Sequence, residues 1–139
     1  MKKILSVILI TISALVACTS MKPNQAVQKL TGQWQLNYIS GIKMTFDDLY
    51  PWAKPTLNFN APFTEVSGNT SCNGFSTKLV VDGTKMTISQ PGAMTMKHCE
   101  GDGEMKFMEM LKKVNAYNID GNLLTLLHDG FPVMTFNKK

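Results

Sequence analysis

The chain has 139 residues, with 14 lysines and no arginine against 10 acidic residues, and 44% of it is hydrophobic while only 17% is charged. That length fits one domain with its own core, and the composition excludes a disordered tail. Scattered lysines without arginine, the residue suited to bidentate phosphate and guanine contacts, also exclude a nucleic-acid binder.

Lys2 and Lys3 precede an apolar run from Ile4 to Ala17. At 14 residues the run is short of the roughly 20 that span a bilayer as a helix. A charged start followed by a run of this length predicts an export signal over residues 1–17. Leu15-Val16-Ala17-Cys18 resembles the lipobox of bacterial lipoproteins. That resemblance implies diacylglycerol on the Cys18 thiol, cleavage before it and acylation of the freed amine. Two or three acyl chains hold stably, since each buried methylene contributes about 0.8 kcal/mol and one chain alone is marginal. The other reading of Cys18 is a buried cysteine inside an uncleaved signal anchor. Thr19, rather than Asp, follows the cysteine, which in the lipoprotein class directs sorting to the outer membrane, here expected on its periplasmic side. Residues 18–29, with Pro23 and Asn24, read as a tether. Loss of the signal would leave 122 residues with 12 lysines, a nearly balanced domain.

From Leu30 onward the dominant signal is apolar and polar alternation broken by turn residues. Trp34, Leu36 and Tyr38 share one face of a first strand that Gly41 ends. Thr45 to Tyr50 fits one helical turn with Thr45 as N-cap, and Pro51 and Pro55 stop it. Leu57 and Phe59 mark a second strand, and Thr64 to Ser67 a third. Phe75, Thr77, Leu79 and Val81 alternate through a fourth, which turns at Asp82-Gly83 into a fifth carrying Met86 and Ile88. After Cys99 the pattern becomes helical, with Asp102 as N-cap, Glu104 in the first turn and Phe107, Met108, Leu111 and Val114 on one face. Tyr117 with Ile119, Leu124 with Leu126, and Val133 with Phe136 supply the last strands, with Asp120-Gly121 and Asp129-Gly130 between them. The expected fold is α+β, mainly antiparallel: a curved or barrel-like sheet of about seven to eight strands with one covering helix.

Leu30-Thr31-Gly32-Gln33-Trp34, Val66-Ser67-Gly68, Ser71-Cys72-Asn73-Gly74-Phe75, Ala93-Met94-Thr95 leading to Cys99, and Leu123-Leu124-Thr125-Leu126 stand in one order. In this the sequence resembles META-domain proteins of the heat-shock HslJ type, over roughly residues 30–139. The resemblance implies a small barrel-like envelope domain, often lipid-anchored and linked to heat stress and antibiotic tolerance, with no catalytic activity to carry over. The family's fold has also been likened to lipoproteins that pilot secretins. Lys97-His98 before Cys99 departs from relatives, which tend to have small or apolar residues there.

Once Cys18 is lipidated, Cys72 and Cys99 form an even pair in an oxidising compartment, and a disulfide is expected; two buried thiols, or a nucleophilic Cys72 with His98 as base, are the alternatives. Met94, Met96 and His98 beside Cys99 are soft ligands of the kind Cu(I) favours, against a reading in which Met105 and Met108 fill the helix's core face. The carboxylates of Glu100 to Glu104 invite Ca²⁺, but their spacing is not that of an EF-hand and helix-dipole stabilisation accounts for them. His128 reads as a solvated strand end. No metal or other cofactor is expected. Trp52 lies in a proline-flanked loop, so Tyr50 and Trp52 are the candidate partner or ligand surface.

Three functions compete. The first is a non-enzymatic envelope lipoprotein, held to the membrane through Cys18, that binds or maintains another envelope protein under stress. The second is a carrier of an apolar or acyl ligand inside the barrel. The third is an enzyme, for which no acid-base pair, activated nucleophile, G-x-S-x-G, H-E-x-x-H or Walker pattern can be found.

Overall fold

A computed structural model describes residues 25–139. The signal, Cys18 and residues 18–24 of the tether lie outside the described residues. Of the residues read as a tether, Gln25–Lys29 forms the short helix α1, which buries no side chain, and Leu30 behind it is fully buried.

Nine strands follow: β1 (Gly32–Ile39), β2 (Thr56–Phe59), β3 (Glu65–Asn69), β4 (Gly74–Asp82), β5 (Lys85–Ile88), β6 (Ala93–Met94), β7 (Ala116–Asp120), β8 (Leu123–His128) and β9 (Phe131–Lys138). Two further helices are α2 (Phe46–Leu49) and α3 (Gly103–Lys113). The sheet order β3-β2-β1-β9-β8-β7-β5-β4 closes through β3 pairing with β4, which makes an antiparallel eight-strand barrel, with β6 added alongside β4. Closure removes sheet edges that would otherwise template aggregation. The thinnest seam is β5 against β7, where Lys85 faces Ala116 and the backbone bonds are Met86 N–H to Asn115 O and Tyr117 N–H to Thr84 O.

Alternation puts Leu57 and Phe59, Phe75 and Leu79, Met86 and Ile88, Leu124 and Leu126, and Met134 and Phe136 inside, as the period of two requires. β1 departs from it. Its register against β9 slips between Leu36 and Tyr38, a bulge that adds one residue and inverts the pattern beyond it. Tyr38 is therefore 48% exposed and Ile39 takes the inward position. Trp34 stays in the core, with its indole N–H donating to Leu30 O at 2.6 Å.

α3 lays Phe107, Met108, Met110 and Leu111 into the barrel. The ring of Phe107 stands edge-on to Phe75 of β4 at 6.1 Å and to Phe136 of β9 at 6.4 Å. Those strands are four apart in an eight-strand ring, so one helix side chain bridges opposite walls. The lumen that an internal carrier needs is filled by side chains at that level. Met105, expected on the core face, is exposed, because it lies across the helix from Phe107 and Val114; Met110 takes its place in the core.

Two glycines permit this packing. A Cβ on Gly68 would sit 2.0 Å from Thr56 O of the neighbouring strand, and one on Gly103 would sit 2.6 Å from Leu49 O. The first lets β3 approach β2, and the second lets α3 start against α2.

Candidate functional site

The barrel's two poles differ. The chain enters from α1 at one pole, where Lys138 Nζ donates to Lys29 O. β1 then carries it to the other pole, where α2, the Tyr50 to Pro55 loop, the β3–β4 turn and the start of α3 meet. Most sequence-predicted site residues gather at this far pole.

Its frame is the Cys72–Cys99 disulfide, with Cα atoms 6.0 Å apart. The bond consumes the thiols, so Cys72 is not a free nucleophile for His98 and Cys99 is not a thiolate ligand. Beneath the bridge lies a polar hub at Asn73, which is 2% exposed. Its Oδ1 accepts from Thr95 Oγ1 and from the Lys97 N–H, both at 2.8 Å. Its Nδ2 donates to Lys97 O at 3.1 Å and to the Glu104 carboxylate at 3.0 and 3.1 Å. Glu104 also accepts from the buried Thr70 hydroxyl. One side chain thus ties the β3–β4 turn, the 95–97 segment and the first turn of α3 together. Glu104 does more than complement the helix dipole, whereas Asp102, at the N-cap position, makes no side-chain capping bond. In the sequence Asn73 stands between Cys72 and Gly74 in a distinctive block, and nothing local marks it as the centre of a network.

The Tyr50 to Pro55 loop borders the frame. Tyr50 is 3% exposed, so it is not part of a surface. Its hydroxyl donates to Gly103 O at 3.1 Å, and burial holds its pKa well above the ordinary tyrosine value. The reason lies in α2, whose N-cap Thr45 Oγ1 accepts from the Asp48 N–H and whose short turn swings Tyr50 inward against Phe46, ring centroids 5.1 Å apart. Lys54, at the far end of the loop, lies 3.4 Å from Asp47 and 5.2 Å from the Phe46 ring centroid. Between Tyr50 and Lys54, Trp52 is 83% exposed.

Trp52 stands between two clefts. One, of about 190 Å³, is walled by Pro51, the disulfide, Lys97, His98, Glu100 and Glu104; the other, about 480 Å³ and more open, by Gln35, Asp47, Ala53 and Lys54. The copper candidates share one open cleft of about 220 Å³, walled by Met94, Met96 and His98 with Thr95 and Lys97; within it Met94 also packs on the core, Met96 is 94% exposed, and Cys99 is committed to the disulfide. Among the described residues no group of three His, Cys, Asp or Glu side chains is placed to hold a metal ion, and no helix is long and apolar enough to cross a membrane. His128, at the end of β8, lies outside both clefts, its Nε2 3.6 Å from the Asp129 carboxylate.

Solved structures with the same fold include an NMR structure from Burkholderia xenovorans, 19% identical over 84% of this chain and 88% of that one, TM-score 0.63. A crystal structure of a duf4847 family protein from Bacteroides vulgatus ATCC 8482 is 16% identical over 79% and 95%, TM-score 0.57. Another protein solved by NMR is 22% identical over 81% and 93%, with the same score. At these identities the likeness is one of fold. No curated protein matches the chain. The META domain profile matches residues 26–139, and the chain belongs to the META domain family.

Proposed function

We propose that this chain is a non-enzymatic, lipid-anchored envelope protein, held by acyl groups on Cys18 at the periplasmic side of the outer membrane, whose Trp52 pole binds another envelope component. The observation that carries the reading is an indole 83% exposed on a short loop that starts at the buried Tyr50. An exposed tryptophan offers a large amphipathic contact face with few rotatable bonds, as binding hot spots do. The seven residues from Cys18 to Gln25 reach at most about 25 Å, which suits α1's pole near the membrane and Trp52 facing away from it. The HslJ-type resemblance adds a role in heat or antibiotic stress. The Cys72–Cys99 disulfide, which leaves no Cys72 thiol for His98 to activate, supports a non-catalytic site.

The test is a photoreactive amino acid at position 52 in cells, with radiolabelled palmitate to follow Cys18. The proposal expects palmitate on the wild type and none on Cys18→Ser, and one dominant adduct from position 52. A lipidated, folded protein that yields no adduct would reject the Trp52 pole as a binding face.

A further inference from the structure

The two clefts beside Trp52 also carry a statement about what binds there, one that rests on the Trp52 pole being the binding face. Charge narrows the choice. The linings hold Lys54, Lys97 and His98 against Asp47, Glu100 and Glu104, so neither cleft offers the surplus of positive charge that a phosphate or polyanion needs. Polarity narrows it again, because Lys97 and Glu100 on one side of the indole and the Gln35 amide on the other would be stripped of water by a lipid chain that offers them no hydrogen bond.

The ligand that suits this arrangement has one flat apolar face for the indole and a rim of neutral hydroxyls or amides for the charged ring around it. A pyranose has that shape. Its C–H face stacks on an aromatic ring, its equatorial hydroxyls donate to carboxylates, and its oxygens accept from lysine and glutamine N–H groups. Two prolines flank the segment and Tyr50 is buried beside it, which limits the conformations the Trp52 backbone can take before stacking. The smaller cleft, at about 190 Å³, is below the size of pockets that enclose a drug-sized ligand and suits a single ring. The larger and more open one lies on the other side of the same indole, so a chain of rings could continue past it. We infer that Trp52 is the stacking platform of a site for uncharged pyranose glycans, with Asp47, Lys54 and Glu100 as hydrogen-bonding partners.

The protein supplies its own reporter, since Trp34 is fully buried and Trp52 is the tryptophan open to solvent. The full chain, purified in a sugar-free zwitterionic detergent, is titrated with tri-N-acetylchitotriose, cellotriose, maltotriose and laminaritriose, all uncharged, while acrylamide quenching of tryptophan is followed. The inference expects saturable protection of Trp52 by at least one sugar. Trp52→Phe keeps that affinity within about tenfold and Trp52→Ala loses more than about tenfold, read by calorimetry. No protection by any of the four, or equal binding by Trp52→Ala, overturns the glycan site. If position 52 nevertheless crosslinks to a protein in cells, the binding pole stands and its ligand is a protein; if neither sugar nor adduct is found, both readings fall.

Discussion

Replacing Asn73 with alanine removes the hub of the far pole without touching the disulfide. The magnitude follows from its contacts. The two Nδ2 contacts with the Glu104 carboxylate count as a charged hydrogen bond worth about 1.5–3 kcal/mol, and the bonds with Thr95 and Lys97 add roughly 0.5–1.5 kcal/mol each. Together they give a loss of about 2.5–6 kcal/mol, large against the roughly 5–15 kcal/mol that holds a domain folded. At roughly 4 °C per kcal/mol for a domain of this size, Tm should fall by about 10–24 °C. Urea denaturation of the wild type, Asn73→Ala, Glu104→Ala and the double variant completes a cycle, in which the two sites should couple by about 1.5–3 kcal/mol. A loss below about 1 kcal/mol for Asn73→Ala, or additive behaviour with Glu104→Ala, would show that the network does not organise this pole.

Three other perturbations read separate features. Cys72→Ser with Cys99→Ser opens a loop closed over 27 residues and should cost about 3.5 kcal/mol in the chain-entropy account; dithiothreitol should weaken the wild type alike and leave the double variant unchanged. Gly68→Ala forces a methyl against Thr56 O and should cost at least about 2–3 kcal/mol, while Gly74→Ala, whose Cβ would meet nothing nearer than 3.9 Å, should cost less than about 1 kcal/mol by the same urea assay. Tyr50 has a folded-state pKa raised above its ordinary 10.0, so its contribution to stability is complete below that value and is lost as pH rises through it. Tm should therefore fall above about pH 10, and Tyr50→Phe should flatten that fall while lowering Tm at neutral pH through loss of the bond to Gly103 O.

The strands were legible because alternation and Asp-Gly turns are local. Gly83, Gly121 and Gly130 all adopt positive φ at the turns where the sequence placed them. The inversion at Tyr38 was not legible, since a bulge is set by the partner strand and β9 lies almost a hundred residues away. β6 escaped for a similar reason: a two-residue strand exists only because β4 offers Phe75 and Ser76 as partners. At the site, Trp52 could be read from its prolines and the disulfide from cysteine parity. Tyr50 could not, because its burial depends on Gly103, 53 residues away, leaving room for its ring. Asn73 was visible as a letter in a distinctive block, yet its role emerges only once Thr95, Lys97 and Glu104 are brought around it.

The two poles of the barrel provide the most direct comparison. Photoreactive residues placed one at a time at Trp52 and at Asn122, which lies at the opposite pole where Lys138 N–H donates to its carbonyl, report what each end meets in cells. The account predicts a single dominant adduct at position 52 and, at position 122, only lipid or none, with the position 52 adduct lost in Cys18→Ser. Equal adducts at both poles, or a position 52 adduct unchanged when the protein is released from the membrane, would contradict it.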